Sequence, residues 1–129
     1  MSKKILLLGI MVMIIIFATG CFSVLPITGL APVDEIDILI LESFPVQINV
    51  IARGNLPDPC TEISEVIKER EGDTFFIIIK TYRSPGFCIQ VIAPFEEIIP
   101  LDVYGLTAGT YTVDVNGVQD TFDLEVDNF

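Results

Sequence analysis

General acid–base and nucleophilic catalysis recruit histidine more often than any other side chain, and this chain of 129 residues has none. Its five serines stand in no Gly-x-Ser-x-Gly or Ser-x-x-Lys setting, which excludes the hydrolase sites built on those motifs. Carboxylates can act in pairs without other help, as in glycoside hydrolysis. Two groups qualify by proximity in sequence, Glu96-Glu97 and Asp34, Glu35 and Asp37. Adjacent strand residues point to opposite faces, so Glu96 and Glu97 should not converge, and both groups read as solvated charge. Asp114, Asn116 and Glu125 fall at positions 1, 3 and 12 of an EF-hand count, but Gln119 stands where that loop needs glycine. A calcium site at a loop end, drawn from Asp58, Asp73 or Asp102, is the remaining option for a cation. Three cysteines without histidine do not make a zinc site at these spacings. No catalytic residue, metal or cofactor is therefore expected, and the chain reads as a non-enzyme.

The elements that must carry these residues are strands. Residues 35–42 are rich in β-branched side chains and begin with strict alternation, and 46–52 repeat the pattern after the Ser43-Phe44-Pro45 break. Asn55-Leu56-Pro57-Asp58-Pro59 forms a turn cluster. Residues 62–70 are ambiguous, because Ile63, Val66 and Ile67 sit at helical spacing. They read as a strand because Glu71-Gly72-Asp73 joins them, hairpin-fashion, to 74–82, the strongest strand signal in the chain. Residues 87–93, carrying Cys88, read as a further strand. Pro100 lacks a donor for a sheet ladder, so 96–103 is expected at an edge. Asn116-Gly117 between two alternating runs predicts a type I′ hairpin, since that turn needs positive φ at both central positions.

Seven or eight short strands at roughly ten-residue spacing, with no long helix, give an all-β class and a single β-sandwich. Leu106-Thr107-Ala108-Gly109-Thr110-Tyr111, ahead of the last hairpin, resembles the tyrosine corner of immunoglobulin-like and fibronectin type III-like domains. That resemblance rests on Leu106, Gly109 and Tyr111 and implies a Tyr111 hydroxyl bonded back to upstream backbone.

The amino end carries an address. Lys3 and Lys4 precede an uncharged apolar run over 5–18, followed by Phe17-Ala18-Thr19-Gly20-Cys21. With small residues just before the cysteine, the segment resembles the lipobox of bacterial lipoproteins, although Ala18 stands where that family prefers leucine. The resemblance implies cleavage between Gly20 and Cys21 and a lipid, palmitate included, on Cys21. The resulting division is a signal peptide over 1–20, a lipidated tether over 21–33 and an immunoglobulin-like sandwich over 34–129. The alternative is an uncleaved transmembrane anchor, because no charge occurs between Lys4 and Asp34. Pro26, Gly29 and Pro32 suit a tether better than a spanning helix. Either way Lys3 and Lys4 hold the amino end inside and put the domain outside the cytoplasm. If Cys21 carries lipid, Cys60 and Cys88 remain as a pair, and export to an oxidising space makes their disulfide plausible.

The formal charge of −11 becomes −13 without Lys3 and Lys4, five basic side chains against eighteen acidic. Phosphate binding needs a basic stripe, so nucleic acid is excluded as a partner. The expectation is a lipid-anchored extracytoplasmic module of the cell envelope, at the cell surface or in the periplasm, that binds a protein. A structural subunit adding an edge strand to a larger assembly is the alternative, with calcium or glycan binding behind it.

Overall fold

The computed structural model describes residues 27–129. Eight strands form in chain order: β1 (Ile27–Leu30), β2 (Val33–Leu41), β3 (Gln47–Leu56), β4 (Thr61–Glu71), β5 (Thr74–Arg83), β6 (Ala93–Leu101), β7 (Gly109–Val115) and β8 (Val118–Leu124). They make two sheets, β2-β3-β6 and a five-stranded one in which β5 is central. The expected all-β sandwich is the observed architecture.

Alternation along each central strand builds the core, because successive side chains point to opposite faces. Ile48, Val50 and Ala52 of β3 face Ile77 and Ile79 of β5 and Val113 and Val115 of β7, and all seven are essentially inaccessible. Phe75, Tyr111 and Phe122 close one end of this layer, their ring centroids 5.6 to 6.2 Å apart.

The edge of β5 away from β4 is shared by two strands. β7 pairs with residues 74–77 in parallel, and β1 pairs with residues 80–83 antiparallel. Parallel neighbours need a crossover, and here β6, lying in the opposite sheet, supplies it.

Between β1 and β7 the side chain of Asn116 fills the gap. Its Oδ1 accepts the Ile79 N–H at 2.9 Å, and its Nδ2 donates to the carbonyls of Ala31 at 2.9 Å and Ile79 at 3.0 Å. Asn116 and Gly117 also take the positive φ values, 49° and 94°, that the expected hairpin demands.

The ambiguous stretch is β4, a strand throughout, and a bulge explains its helical look. The register shifts between Ile63 and Glu65, which adds one residue, so Ile63 opposite Thr81 and Val66 opposite Ile79 both face the core. A spacing of three therefore serves one sheet face. Pro100 lies on β6, which among the described residues pairs only with β3 and is an edge as expected.

Two expectations need correction. Residues 87–93 are not a strand: β6 begins at Ala93, and 84–92 is a connecting loop with no ladder partner. Pro85, Gly86 at φ 121° and the inward pull on Cys88 break the extended run. The folded unit also begins earlier than residue 34. Ile27–Leu30, within the expected tether, pairs with β5, and Ala31 is in the core. The chain then crosses between sheets at Ala31-Pro32, and a Cβ on Gly54 would stand 2.0 Å from the Pro32 carbonyl oxygen, so glycine permits the crossing.

Candidate functional site at the disulfide pole

At one end of the sandwich five strand ends meet. Arg83 closes β5 and is in register with Ile27 at the start of β1 and with Thr61 at the start of β4. In the other sheet Leu56 closes β3 opposite Ala93, the start of β6. The β3–β4 turn and the β5–β6 loop cover this pole.

The turn is organised by Asp58, a side chain left only 4% exposed. Its Oδ1 accepts the Cys60 N–H at 3.0 Å and the Thr61 hydroxyl at 2.9 Å, and its Oδ2 accepts Arg83 Nε at 2.9 Å. Burial pushes the Asp58 carboxyl up, but the hydrogen bonds from Thr61 and Arg83, the Arg83 charge and the Cys60 amide outweigh it. The carboxyl is held below its ordinary range. This is an Asx turn whose carboxylate has gained a half-buried cation as well.

The loop is fastened to that turn by the Cys60–Cys88 disulfide, with 6.2 Å between the two Cα atoms. Closing a loop of 28 positions stabilises the fold by about 3.5 kcal/mol on the chain-entropy account. Cys88 is drawn inward, and its neighbours point out. Phe87 is 97% exposed, with Ile89, Val91 and Ile92 all above half. No ionisable side chain occurs from residue 84 to 95. Asp58, Cys60 and Cys88 bring potential ligand atoms within 4.8 Å of one another, yet both sulfurs are in the disulfide and the carboxylate oxygens hold Thr61, Cys60 and Arg83.

The other candidate residues lie apart. On the outer face of the three-stranded sheet, Arg53 stands between Glu35 and Glu96 in register. It bonds Asp37 and, at 3.0 Å, Glu96, with Glu35 at 3.8 Å. Glu35, Asp37 and Glu96, three of the five carboxylates considered for catalysis, are thus counter-ions of one guanidinium, which Asp37 and Glu96 keep more firmly protonated than usual. Glu97 faces the other way, opposite Ala52, and Asp34 accepts from Asn55 at 3.0 Å.

Asp114 accepts the Gly117 N–H and the Gln119 amide, both at 2.9 Å, serving the hairpin. Asp73 lies beyond the opposite end of β5 from Asp58, so those two cannot share an ion. Tyr111 donates its hydroxyl to the Thr107 carbonyl at 2.7 Å in the β6–β7 connection, where Leu106 packs on the core and Gly109 opens β7. Cys21 and the lipobox lie outside the described residues.

Several organising residues escaped the sequence reading. The Asp58–Arg83 pair joins positions 25 apart. Asn128, 1% exposed, accepts the Val46 N–H at 2.7 Å and donates to Val46 and Val103 carbonyls, pinning the carboxyl end. Asp-Pro-Cys-Thr carries a readable Asx-turn signal at 58–61. Nothing local marks Arg83 or Asn128.

Two sheets, an interior disulfide staple and a corner tyrosine define this chain as a β-sandwich domain. It belongs to the ORF11 beta-sandwich domain family, whose profile matches residues 50–124, from mid-β3 to the end of β8. It is similar to three proteins of Herpetosiphon aurantiacus. One is an uncharacterized 10.2 kDa protein in the HgiCIIM 5′ region, 34% identical over 71% of this chain and 98% of the relative. The others are 10.2 kDa proteins in the HgiBIM and HgiEIM 5′ regions, each 37% identical over 64% of this chain and the whole of the relative. No solved structure matches.

Proposed function

We propose that the protein is a lipid-anchored, extracytoplasmic binding module, held by Cys21, whose acidic sandwich engages a protein partner without catalysing a reaction. The observation that carries this reading is the disulfide, since Cys60–Cys88 suits an oxidising compartment and leaves Cys21 as the odd cysteine behind an export-type leader. Of the carboxylates a hydrolase would need, Asp37 and Glu96 are engaged with Arg53, and Glu97 faces away from them. Strand addition to a larger assembly has less support. β6 carries Pro100, whose carbonyl accepts Lys68 Nζ at 2.9 Å, and β4 is studded with charge, both features that blunt an edge.

Mass spectrometry and palmitate labelling of the protein from a bacterial host test the anchor. The native chain should lose residues 1–20 and gain acyl mass, and Cys21→Ala should retain the leader and take no label. An unmodified, uncleaved native chain would overturn the reading. Crosslinking in cells should recover one stoichiometric protein neighbour, and recovery of none would overturn the protein-binding part.

A further inference from the structure

Among the described residues, the disulfide pole presents four exposed apolar side chains on one uncharged loop, and β1, the first described strand after Cys21, begins there. We infer that the β5–β6 loop is a second membrane contact, with Phe87, Ile89, Val91 and Ile92 inserting into the bilayer that holds the lipid. This inference rests on the lipid-anchored reading.

Four observations converge on it. The apolar side chains are raised rather than packed: Phe87 is 97% exposed, Ile92 67%, Ile89 62% and Val91 56%. Contiguous exposed apolar residues of this kind mark an interaction site rather than scatter. The loop is a fixed feature, because the disulfide clamps Cys88 between Phe87 and Ile89 onto the β3–β4 turn. The loop itself carries no charge to desolvate, since residues 84–95 have none, and Asp58 and Arg83 neutralise each other beneath it. Finally, Ile27 pairs with Arg83, the last residue before the loop. Cys21 lies six positions before Ile27, a reach of about 20 Å at full extension. An acyl chain on Cys21 therefore keeps this pole, and not the opposite one, close to the lipid surface. The acidic outer faces turn away from it, as their repulsion from anionic headgroups requires.

The occupant is thus the lipid surface itself. A lipid on Cys21 tethers the domain through six residues without orienting it, and a second apolar contact fixes its orientation.

The test uses the absence of tryptophan from the chain. Full-length protein with Phe87→Trp is reconstituted into phosphatidylcholine vesicles with and without brominated acyl chains. Tyr104→Trp, at an exposed site in the β6–β7 connection of the opposite pole, is the reference. Flotation reads the anchor, and tryptophan emission reads the loop. The expected result is floated protein whose emission from position 87 shifts to the blue and is quenched by bromine, while that from position 104 stays red and unquenched.

Floated protein with position 87 as water-exposed as position 104 overturns the insertion and leaves the anchor standing. Quenching at both positions overturns the oriented contact. Protein that does not float overturns the anchored reading, and this inference with it. Ile92→Trp repeats the measurement at a second exposed position should Phe87→Trp fold poorly.

Discussion

Replacing Asn116 with glycine separates two roles that one residue performs. Glycine adopts φ 49° as readily as asparagine does, so the type I′ turn survives. What is lost is the amide that bridges the interval between β7 and β1 along β5. Three hydrogen bonds disappear, from Ile79 N–H and to the Ala31 and Ile79 carbonyls, at 2.9 to 3.0 Å and partly buried. At about 0.5–1.5 kcal/mol net for each bond, the loss is roughly 2–4 kcal/mol. That is a large share of a domain whose total is about 5–15 kcal/mol. The Ile79 carbonyl keeps its bond from the Ala31 N–H at 2.9 Å, which places the estimate toward the lower half. Urea unfolding followed by far-ultraviolet circular dichroism measures the change, and amide hydrogen exchange at Ile79 locates it. Asn116→Asp should be worse than glycine, because a carboxylate oxygen would face two carbonyls where the NH₂ group stood. A glycine variant within about 0.5 kcal/mol of the native chain would refute the bridging role and reduce Asn116 to a turn residue.

Removing both cysteines of the staple, as Cys60→Ser with Cys88→Ser, should lower the unfolding free energy by about 3.5 kcal/mol, read from urea curves in which the slope is fitted separately because the unbridged unfolded chain is less compact. Tyr111→Phe removes only the bond to Thr107 and leaves the rings of Phe75 and Phe122 packed, so a loss of about 1 kcal/mol is expected from the same unfolding curve. Gly54→Ala drives a methyl group into the Pro32 carbonyl and should cost about 1–3 kcal/mol, with faster amide exchange in β1. The Asp58 carboxyl is lower in the folded chain than unfolded, so its contribution is complete above the ordinary aspartate value of about 4 and is lost as pH falls through the folded value. Stability measured from pH 6 down to pH 3 should therefore decline less steeply for Asp58→Asn than for the native chain.

The fold was legible because its strands announce themselves individually. β-Branched alternation marks β2, β3 and β5, and Asn116-Gly117 fixes the pairing of β7 with β8. What stayed hidden depends on partners distant in sequence. β1 has only four residues and takes its meaning from the free half-edge of β5, which no local pattern displays. The β4 bulge gave a strand the spacing of a helix, and only the Gly72 hairpin beside it argued otherwise. The loop over 84–92 misled in the opposite sense. Its apolar residues look like a strand to any reading that equates hydrophobicity with burial, and they are instead the most exposed apolar group of the domain. At the pole, cysteine arithmetic reached the disulfide, but Asp58 passed as a possible calcium ligand because the cation that engages it, Arg83, lies on another strand.

The disulfide and the Asp58–Arg83 pair meet different requirements of the same pole. An apolar loop without a fastening would fold back onto the sandwich, since burying Phe87 alone would be favourable by about 1.5–3 kcal/mol. The bond to Cys60 opposes that collapse by fixing Cys88 inward, which leaves the residues on either side no route to the core. The turn receiving the staple must in turn be rigid, and Asp58 makes it so by gathering Cys60, Thr61 and Arg83 on one carboxylate. Arg83→Met would leave a buried charge beneath the loop but keep the bonds that Asp58 accepts from Cys60 and Thr61, whereas replacing both partners removes the charge and the turn's organiser together. Asp58→Leu combined with Arg83→Met should therefore disturb the loop more than Arg83→Met alone, and trypsin cleavage cannot report it because the cut site goes with the arginine. Chymotrypsin at Phe87 can: faster cleavage in the double variant than in the single would place the loop's rigidity in the turn that Asp58 gathers, and equal rates would place it in the disulfide alone.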